Sequence, residues 1–460
     1  MRRPRPDRFG KPVRSGGNAE VHDLEKHIVE NARAEKGAIV NLVTRMLGEI
    51  CDKVEGIIQT GPFGSQLHQS DYRDKGTPVI MPKDLVGGKV SVESVARIGD
   101  EDVARLSRHQ LKAGDIVYAR RGDIGRRALI TSREAGWMCG TGCMRISLGD
   151  SVVHSVFLHY YLGQPDVVTW IYNQAVGATM PNLNTSIVRS IPITYPPLPT
   201  QRKIAAILSA YDDLIENNTR RIAILEEMAR AIYREWFVHF RFPGHEQAAM
   251  VDSELGPIPV GWEVVLLTEL ADFVRGVEPG SKNYLESPTE DSIPFLRVGD
   301  FGSRQSSIFI PRALAKGRIL DRQDIAITLD GTIGIVKTGL SGGYSSGIRK
   351  AVIRDGDRLN SSLLYYLLQS DHIQATIRAH AKGTTILHAG SAVKHMNLAL
   401  PPGPIMQAFD HFVSPLMASK LNLQERNVLL RQTRDLLLPR LISGEVVVRP
   451  DRFSKPVRSR

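Results

Sequence analysis

The chain repeats itself, and the repeat limits what it can fold into. DIVYARRGDIG at 115–125 and DIAITLDGTIG at 324–334 share the pattern DI-x5-G-x-IG, 209 residues apart. HYYL at 159–162 and LYYL at 364–367, the Pro-Pro pairs at 196–197 and 401–402, and Gly142 and Gly347 all recur at 205. GTPVIMPKDL at 76–85 resembles SIPFLRVGDF at 292–301 at an offset of 216, so small insertions separate the blocks. Chance gives one such match, but not five in the same order. The chain therefore reads as two copies of one unit, each roughly 200 residues long, which fits the two to four domains expected of 460 residues.

Each copy ends in a second kind of sequence, just after a proline cluster that stops the globular part: YPPLPTQ at 195–201 and LPPGPIMQ at 400–407. Beyond the first cluster a heptad seam runs through Ile204, Leu208, Tyr211, Ile215, Asn218, Ile222, Leu225, Ala229, Ile232 and Trp236. The second copy gives Phe409, Val413, Leu416, Lys420, Leu423, Asn427, Leu430, Arg434, Leu437 and Leu441. A single stripe of this kind lays a helix on its own domain. Two of equal length, aligned position for position, point to helices that pair with each other, each roughly 55 Å long at 1.5 Å per residue. The polar residues inside the seam cost stability and fix orientation and register.

These marks divide the chain into a basic extension at 1–44, a mixed α and β domain at 45–198, a long helix at 199–240, a Pro- and Gly-containing linker at 241–261, a second mixed domain at 262–403, a second long helix at 404–445 and a basic tail at 446–460. RPDRFGKPVRS at 5–15 recurs as RPDRFSKPVRS at 449–459. The plain reading is two solvated basic tails; the sharper one is that the two ends lie near each other in a circular arrangement of repeats.

Several function classes lack their residues. Cys51, Cys139 and Cys143 form no CxxC pair, so neither a disulfide framework nor a four-cysteine zinc site is supported, and reduced cytoplasm is the expected compartment. No apolar run reaches 18 residues, which argues against membrane insertion. No phosphate loop of the GxxxxGK[ST] type occurs, GHEQA at 244–248 is not HExxH, and no NPPY-like methyltransferase sequence is present. Asp212 and Asp213 read as a solvated helix face. Catalysis by this chain alone is not expected, and no residue is a candidate metal ligand.

A polyanionic partner is better served. Lys and Arg number 59 against 49 Asp and Glu, a net charge of +10. In YARRGDIGRRAL, Arg120, Arg121, Arg126 and Arg127 surround two glycines, which lets four cations approach phosphate closely. GATMPNLNTS at 177–186 offers Thr179, Asn182 and Asn184 to base edges or phosphate. Lys83 in the first copy, and Arg297, Arg349, Lys350, Thr384, Thr385 and His388 in the second, complete the candidate DNA-binding set. The segment aligned with 177–186 is GTTILHAGSAVKH at 383–395, so the place recurs while the side chains differ, as suits two domains that read different sequences.

The helical stretch from PPLPTQRKIAAIL to IYREWFVHF, with GPFGSQLHQSDY, GTPVIMPKDL, GDIVYARRGDIGRRALI, GWMCGTGCMRI, GATMPNLNTS and DSELGPIPVGWEV, resembles the specificity subunit of type I restriction-modification systems over about residues 45–445. The resemblance implies an α+β protein: two target recognition domains joined by two long antiparallel coiled-coil helices in a pseudo-twofold, circular arrangement. Each domain would read half of a bipartite duplex, and the helices would set the spacer and dock two methylation subunits. S-adenosylmethionine, ATP and Mg would belong to those partners and to the restriction subunits. Two features depart from the family pattern. The basic segment before residue 45 makes Met46 an alternative start, and LDGTIGIV stands where the first copy has RRGDIGRR. The competing readings are a scaffold that has lost sequence reading and a self-sufficient methyltransferase or nuclease.

Overall fold

A computed structural model of the protein describes residues 41–175, 182–302, 306–384 and 386–446. The repeated basic ends, Thr179 and Thr385 fall outside the described residues. The chain divides into two compact units: unit 1 takes the described residues up to Asp212 together with those from Arg431 on, and unit 2 is Asp213–Leu430. Each long helix contributes residues to both.

The repeat seen in sequence is a repeat of topology. In unit 1 an antiparallel sheet runs Ile57–Thr60, Cys143–Ser147, Ile116–Ala119, Arg127–Leu129. In unit 2 the same order is Ala271–Arg275, Ile348–Ile353, Ile325–Thr328, Val336–Lys337. The inner strands IVYA and IAIT are buried at every position, which is why they read as unbroken apolar runs rather than alternating ones. Each unit adds a second four-stranded sheet containing one parallel pair, Thr77–Ile80 with Met138–Cys139 and Ser292–Leu296 with Gly342–Tyr344. Each also has an antiparallel pair bracketing its globular part, Val43–Met46 with Pro192–Tyr195 and Glu263–Leu266 with Asn397–Leu400.

The Asp of the DI pattern anchors the sheet in both copies. Asp115 accepts from the Lys112 backbone N–H at 2.7 Å and pairs with Arg145 on the next strand, N to O 2.7 Å, both side chains buried. Asp324 accepts from the Asp321 N–H at 2.7 Å and pairs with Lys350 at 2.6 Å. Lys350, expected from sequence to face DNA, is therefore the counterpart of Arg145 and holds a strand.

The long helices are Leu198–Tyr233, continued by a π turn at Arg234–Val238, and Gly403–Ser443. Pro199 and Pro404 lie in their first turns, where the fixed φ suits a helix start. Within unit 1, Ile204, Ala205 and Leu208 share a core with Leu438, Leu441 and Ile442, and Arg434 pairs with Asp212. Within unit 2, Asn218 donates to Asn427 at 3.0 Å, Lys420 pairs with Glu226 at 3.4 Å, and Ala229, Tyr233 and Trp236 share a core with Phe409, Val413 and Met417. The pairing is antiparallel in each unit. Leu423 and Leu430 are buried, Ile222, Leu225 and Ile232 half-buried. Leu416 and Leu437 are half-buried too, while the next residues, Met417 and Leu438, are buried instead. An α-helix drifts about 20° per heptad against a strict seven-residue repeat, so a straight reading slips to the neighbouring residue.

The segment 241–261 is part of unit 2. Met250–Val251 pairs with Ile258–Pro259, and Phe242, Ile258 and, just beyond, Trp262 are buried in its core.

Removing one partner of a buried ion pair leaves an uncompensated charge. Asp115→Ala should destabilise unit 1 by about 3–5 kcal/mol, while Asp324→Ala, in a half-exposed pair, should cost clearly less. Thermal unfolding of the two variants compares them, and equal losses would contradict the difference in burial.

Candidate nucleic-acid interface

In unit 1 four loops meet at one end of the first sheet. The loop after Ile57–Thr60 is tied to the one before Cys143 by Gly61 N–H to Cys143 O, 2.9 Å, and by Thr141 Oγ1 to Pro62 O, 2.9 Å. A Cβ on Gly61 would lie 2.0 Å from Gly140 O, so only glycine permits this approach. The Arg120 N–H donates to Gly142 O at 2.9 Å, and the Leu183 N–H donates to Arg120 O at 2.8 Å. Arg121 and Asn182 form a bridge between the third and fourth loops. The exposed side chains at the junction include Phe63, Arg121 and Arg126.

Unit 2 repeats this frame nearly bond for bond. The Val277 N–H donates to Tyr344 O at 2.9 Å, Leu329 N–H to Gly347 O at 2.9 Å and Ala389 N–H to Leu329 O at 2.7 Å, while Asp330 pairs with His388. Gly276 takes the place of Gly61, its position closed to a Cβ by Tyr344 O at 2.2 Å. The frame is constant and its side chains are not. Leu329 stands for Arg120, Asp330 for Arg121, His388 for Asn182, Glu278 for Phe63 and Ser346 for Thr141.

The sequence candidates divide accordingly. Arg121 and Arg126 are exposed, Arg126 beside Asp123 at 2.7 Å. Arg120 is half-buried and ties its Nε to Leu183 O at 3.1 Å. Arg127 leaves the cluster: it lies on the edge strand, its Nε donates to His159 O at 2.6 Å, and burial lowers its pKa. Its neighbourhood is interior. Burial, then the charges of Arg127 and Arg434, push the His159 pKa well down, and burial with the charge of Asp212 pushes up that of Tyr160, which donates to Asp212 at 2.5 Å. Asn184 caps the short helix Thr185–Arg189 through the Ile187 N–H, a local duty that explains its sequence position. Lys83 and Arg297 are exposed on matching turns closed by Asp84 and Asp300, which accept from the backbones of Met81 and Arg297 at 2.9 and 2.8 Å. The first turn abuts the loop frame, since Pro82 Cγ would lie 3.1 Å from a Cβ on Gly142. Arg349 is buried, its pKa lowered by burial, and pairs with Asp330 at 3.4 Å. His388 holds Asp330 through Nδ1 at 2.8 Å, and Thr384 is exposed near it.

Sequence reasoning missed Phe63, Thr141, Glu278, Ser346 and Asp330. The available signal was the repeat itself: a glycine after the edge strand in both copies, and Asp330 at the offset that aligns it with Arg121. Among the described residues, no group of three or more His, Cys, Asp or Glu could hold a metal ion, and no helix is long and apolar enough to cross a membrane. Cys51, Cys139 and Cys143 are buried free thiols, with burial raising the Cys139 pKa to about 12.

Comparison with known proteins agrees with this architecture. Residues 40–227 match the family model described as type I restriction modification DNA specificity domain. The chain is 28% identical over 391 residues to the type I restriction enzyme MjaIX specificity subunit of Methanocaldococcus jannaschii, covering 82% of this chain and 88% of that one. It is 22% identical to the HindI specificity subunit of Haemophilus influenzae, covering 75% and 89%. The fold is similar to that of the crystal structure of a type I restriction-modification S subunit from M. genitalium, with a TM-score of 0.52 at 15% identity over 88% of this chain and 97% of that one. The duplicated α/β unit and the long paired helices match the architecture of a type I restriction-modification S subunit, and in sequence the chain is similar to type I restriction enzyme specificity subunits over most of its length.

Proposed function

We propose that each unit reads one half of a bipartite duplex target through its four-loop frame. The recognition segments are 45–198 and 262–403. The helices 199–240 and 404–445 set the spacer between the halves and dock two methylation subunits. S-adenosylmethionine-dependent adenine methylation belongs to those partners, and ATP- and Mg-dependent restriction to further subunits. The observation that carries this reading is the repeated frame with unlike side chains. A scaffold kept only for assembly has no need of matched loops that present Arg121 and Asn182 in one copy and Asp330 and His388 in the other. Phosphate contacts position such a protein and base-edge contacts specify the sequence.

Arg121→Ala and Arg126→Ala should weaken binding at all sequences and lower the slope of log K against log salt by about one for each phosphate no longer neutralised. Arg127→Ala should instead lower the melting temperature of unit 1. A salt slope unchanged in the first two variants would reduce the loop to a solvated surface.

Replacing 262–403 with the equivalent segment of a relative should change one half of the methylated or bound site and leave the other intact. A change in both halves would defeat modular reading.

One heptad inserted into each helix, after Ile222 and after Asn427, lengthens the pair by about 10 Å and keeps its seam. The preferred spacer should grow by about three base pairs, at 3.4 Å each, with some loss of affinity because one half-site also rotates about the duplex. A four-residue insertion should do worse, since it turns the seam out of register. Site selection from duplexes with randomised spacers measures this. An unchanged spacer in a folded, complex-forming heptad variant would show that the helices do not set the distance.

A further inference from the structure

We infer that His388, oriented by Asp330, reads a base edge in the half-site bound by unit 2, an inference that rests on unit 2 being a DNA-recognition domain. The backbone of His388 is held on both sides. It pairs with Asp330 across the strands Asp330–Gly331 and Leu387–His388, and it exchanges hydrogen bonds with Lys382 at 2.8 and 3.0 Å. The second pairing closes a hairpin whose turn needs glycine, for Gly383 sits at φ +107° and a Cβ there would lie 2.2 Å from Ile386 O.

The ring is held as well. Its Nδ1 is 2.8 Å from Asp330 Oδ1, and a carboxylate accepts, so Nδ1 donates. The other Asp330 oxygen is 3.4 Å from Arg349 Nη2, and the buried Arg349 guanidinium also donates to Ser346 O. A polar relay thus runs from the interior through Asp330 to an imidazole whose side chain is 64% exposed. Nε2 makes no hydrogen bond among the described residues, which leaves it as the ring's outward polar atom.

Two features favour a base edge over phosphate. Glu278, exposed in the frame around His388, repels phosphate but can accept from the exocyclic amino groups that bases present in the major groove, whereas both Asp330 oxygens are already engaged by His388 and Arg349. The same frame position in unit 1 is Asn182, so both copies place a planar polar head there, and Asn pairs with base edges in the same groove. Asp330 touches no base in this scheme. It is a positioning residue that acts through His388.

The test is selection of bound duplexes from a library randomised over both half-sites, with the full chain assembled with its methylation subunits and with the full chain alone. His388→Ala should lose about tenfold discrimination at one base pair of the second half-site and none in the first. Asp330→Ala should lose it at the same base pair. Asp330→Asn, whose amide oxygen still accepts from Nδ1, should retain it, which a merely structural aspartate would not require. An unchanged preference in His388→Ala, or a uniform loss across all sequences, overturns the inference. Because the ring is largely exposed, His388→Ala decides the matter even if an Asp330 variant fails to fold. Replacing 262–403 separates the two levels. If the second half-site then changes while His388→Ala leaves it intact, only the role of His388 fails; if that replacement changes neither half, the reading of unit 2 fails with it.

Discussion

Neither unit closes its hydrophobic core with its own repeat. Unit 1 buries Leu438, Leu441 and Ile442, the last turns of the second long helix, against Ile204 and Leu208 and the domain above them. Unit 2 buries Ala229, Tyr233 and Trp236, the end of the first long helix, against Phe409, Leu363 and Tyr366. Full burial of one such aliphatic or aromatic side chain contributes about 1.5–3 kcal/mol, a large share of the 5–15 kcal/mol that separates a typical folded domain from its unfolded chain. The exchange therefore couples the folding of each copy to the presence of the other. It also explains why the recognition domains and the helices are not independent pieces joined by a tether: Phe242 and Trp262 carry the connection between copies into the core of unit 2.

The polar residues in the seam work against stability and in favour of one alignment. Asn427 accepts from Asn218 and donates to Ile215 O at 3.3 Å and Thr219 Oγ1 at 3.2 Å, so a shift of either helix strands buried amide groups. In each unit a tyrosine of the globular part also engages a carboxylate of the first helix that is paired to a cation of the second. Tyr160, Asp212 and Arg434 do so in unit 1. Tyr365, Glu226 and Lys420 do so in unit 2, where Lys420 also lies 4.2 Å from the Tyr365 ring centroid. These matched triads lock the globular parts to the helix pair at defined points. A purely apolar seam would be free to slide by a turn.

The parts of the fold legible in sequence are those that spacing alone encodes. The internal repeat, the two helices and the buried strands IVYA and IAIT all announce themselves through periodicity, because burial on one or both faces constrains residue type at fixed intervals. The site is legible in place and less so in detail. Arg121 and Arg127 are six residues apart in one basic cluster, yet the first is exposed on the loop and the second is bound to a carbonyl beneath it; a count of charges cannot tell them apart. Lys350 misleads for the same reason, since its partner Asp324 is 26 residues away and joins it only through strand pairing. Asn184, a candidate base contact in sequence, is exposed and caps Thr185–Arg189 through its Oδ1, a use of Asn that sequence alone does not separate from base contact. The seam slips at Met417 and Leu438 because a heptad template ignores the drift of a real α-helix.

The loop frame has a physical logic that the side chains follow. Most of its bonds are backbone to backbone, and the glycines at 61 and 276 admit carbonyl oxygens where any side chain would collide. Such a frame is indifferent to what its neighbouring positions carry, so those positions can change without repacking a core. The cost of an unlike side chain is then electrostatic and local. Unit 1 presents exposed arginines, which attract phosphate from a distance and are indifferent to sequence. Unit 2 presents Glu278 and His388, with Asp330 engaged beneath them by His388 and Arg349, so its exposed carboxylate offers phosphate no attraction. If the two units bind the two halves of one duplex as proposed, the general attraction supplied by the first face would serve the second as well, because holding one half-site raises the effective concentration of the other. On that proposal the second face could carry a carboxylate beside DNA without forfeiting the complex.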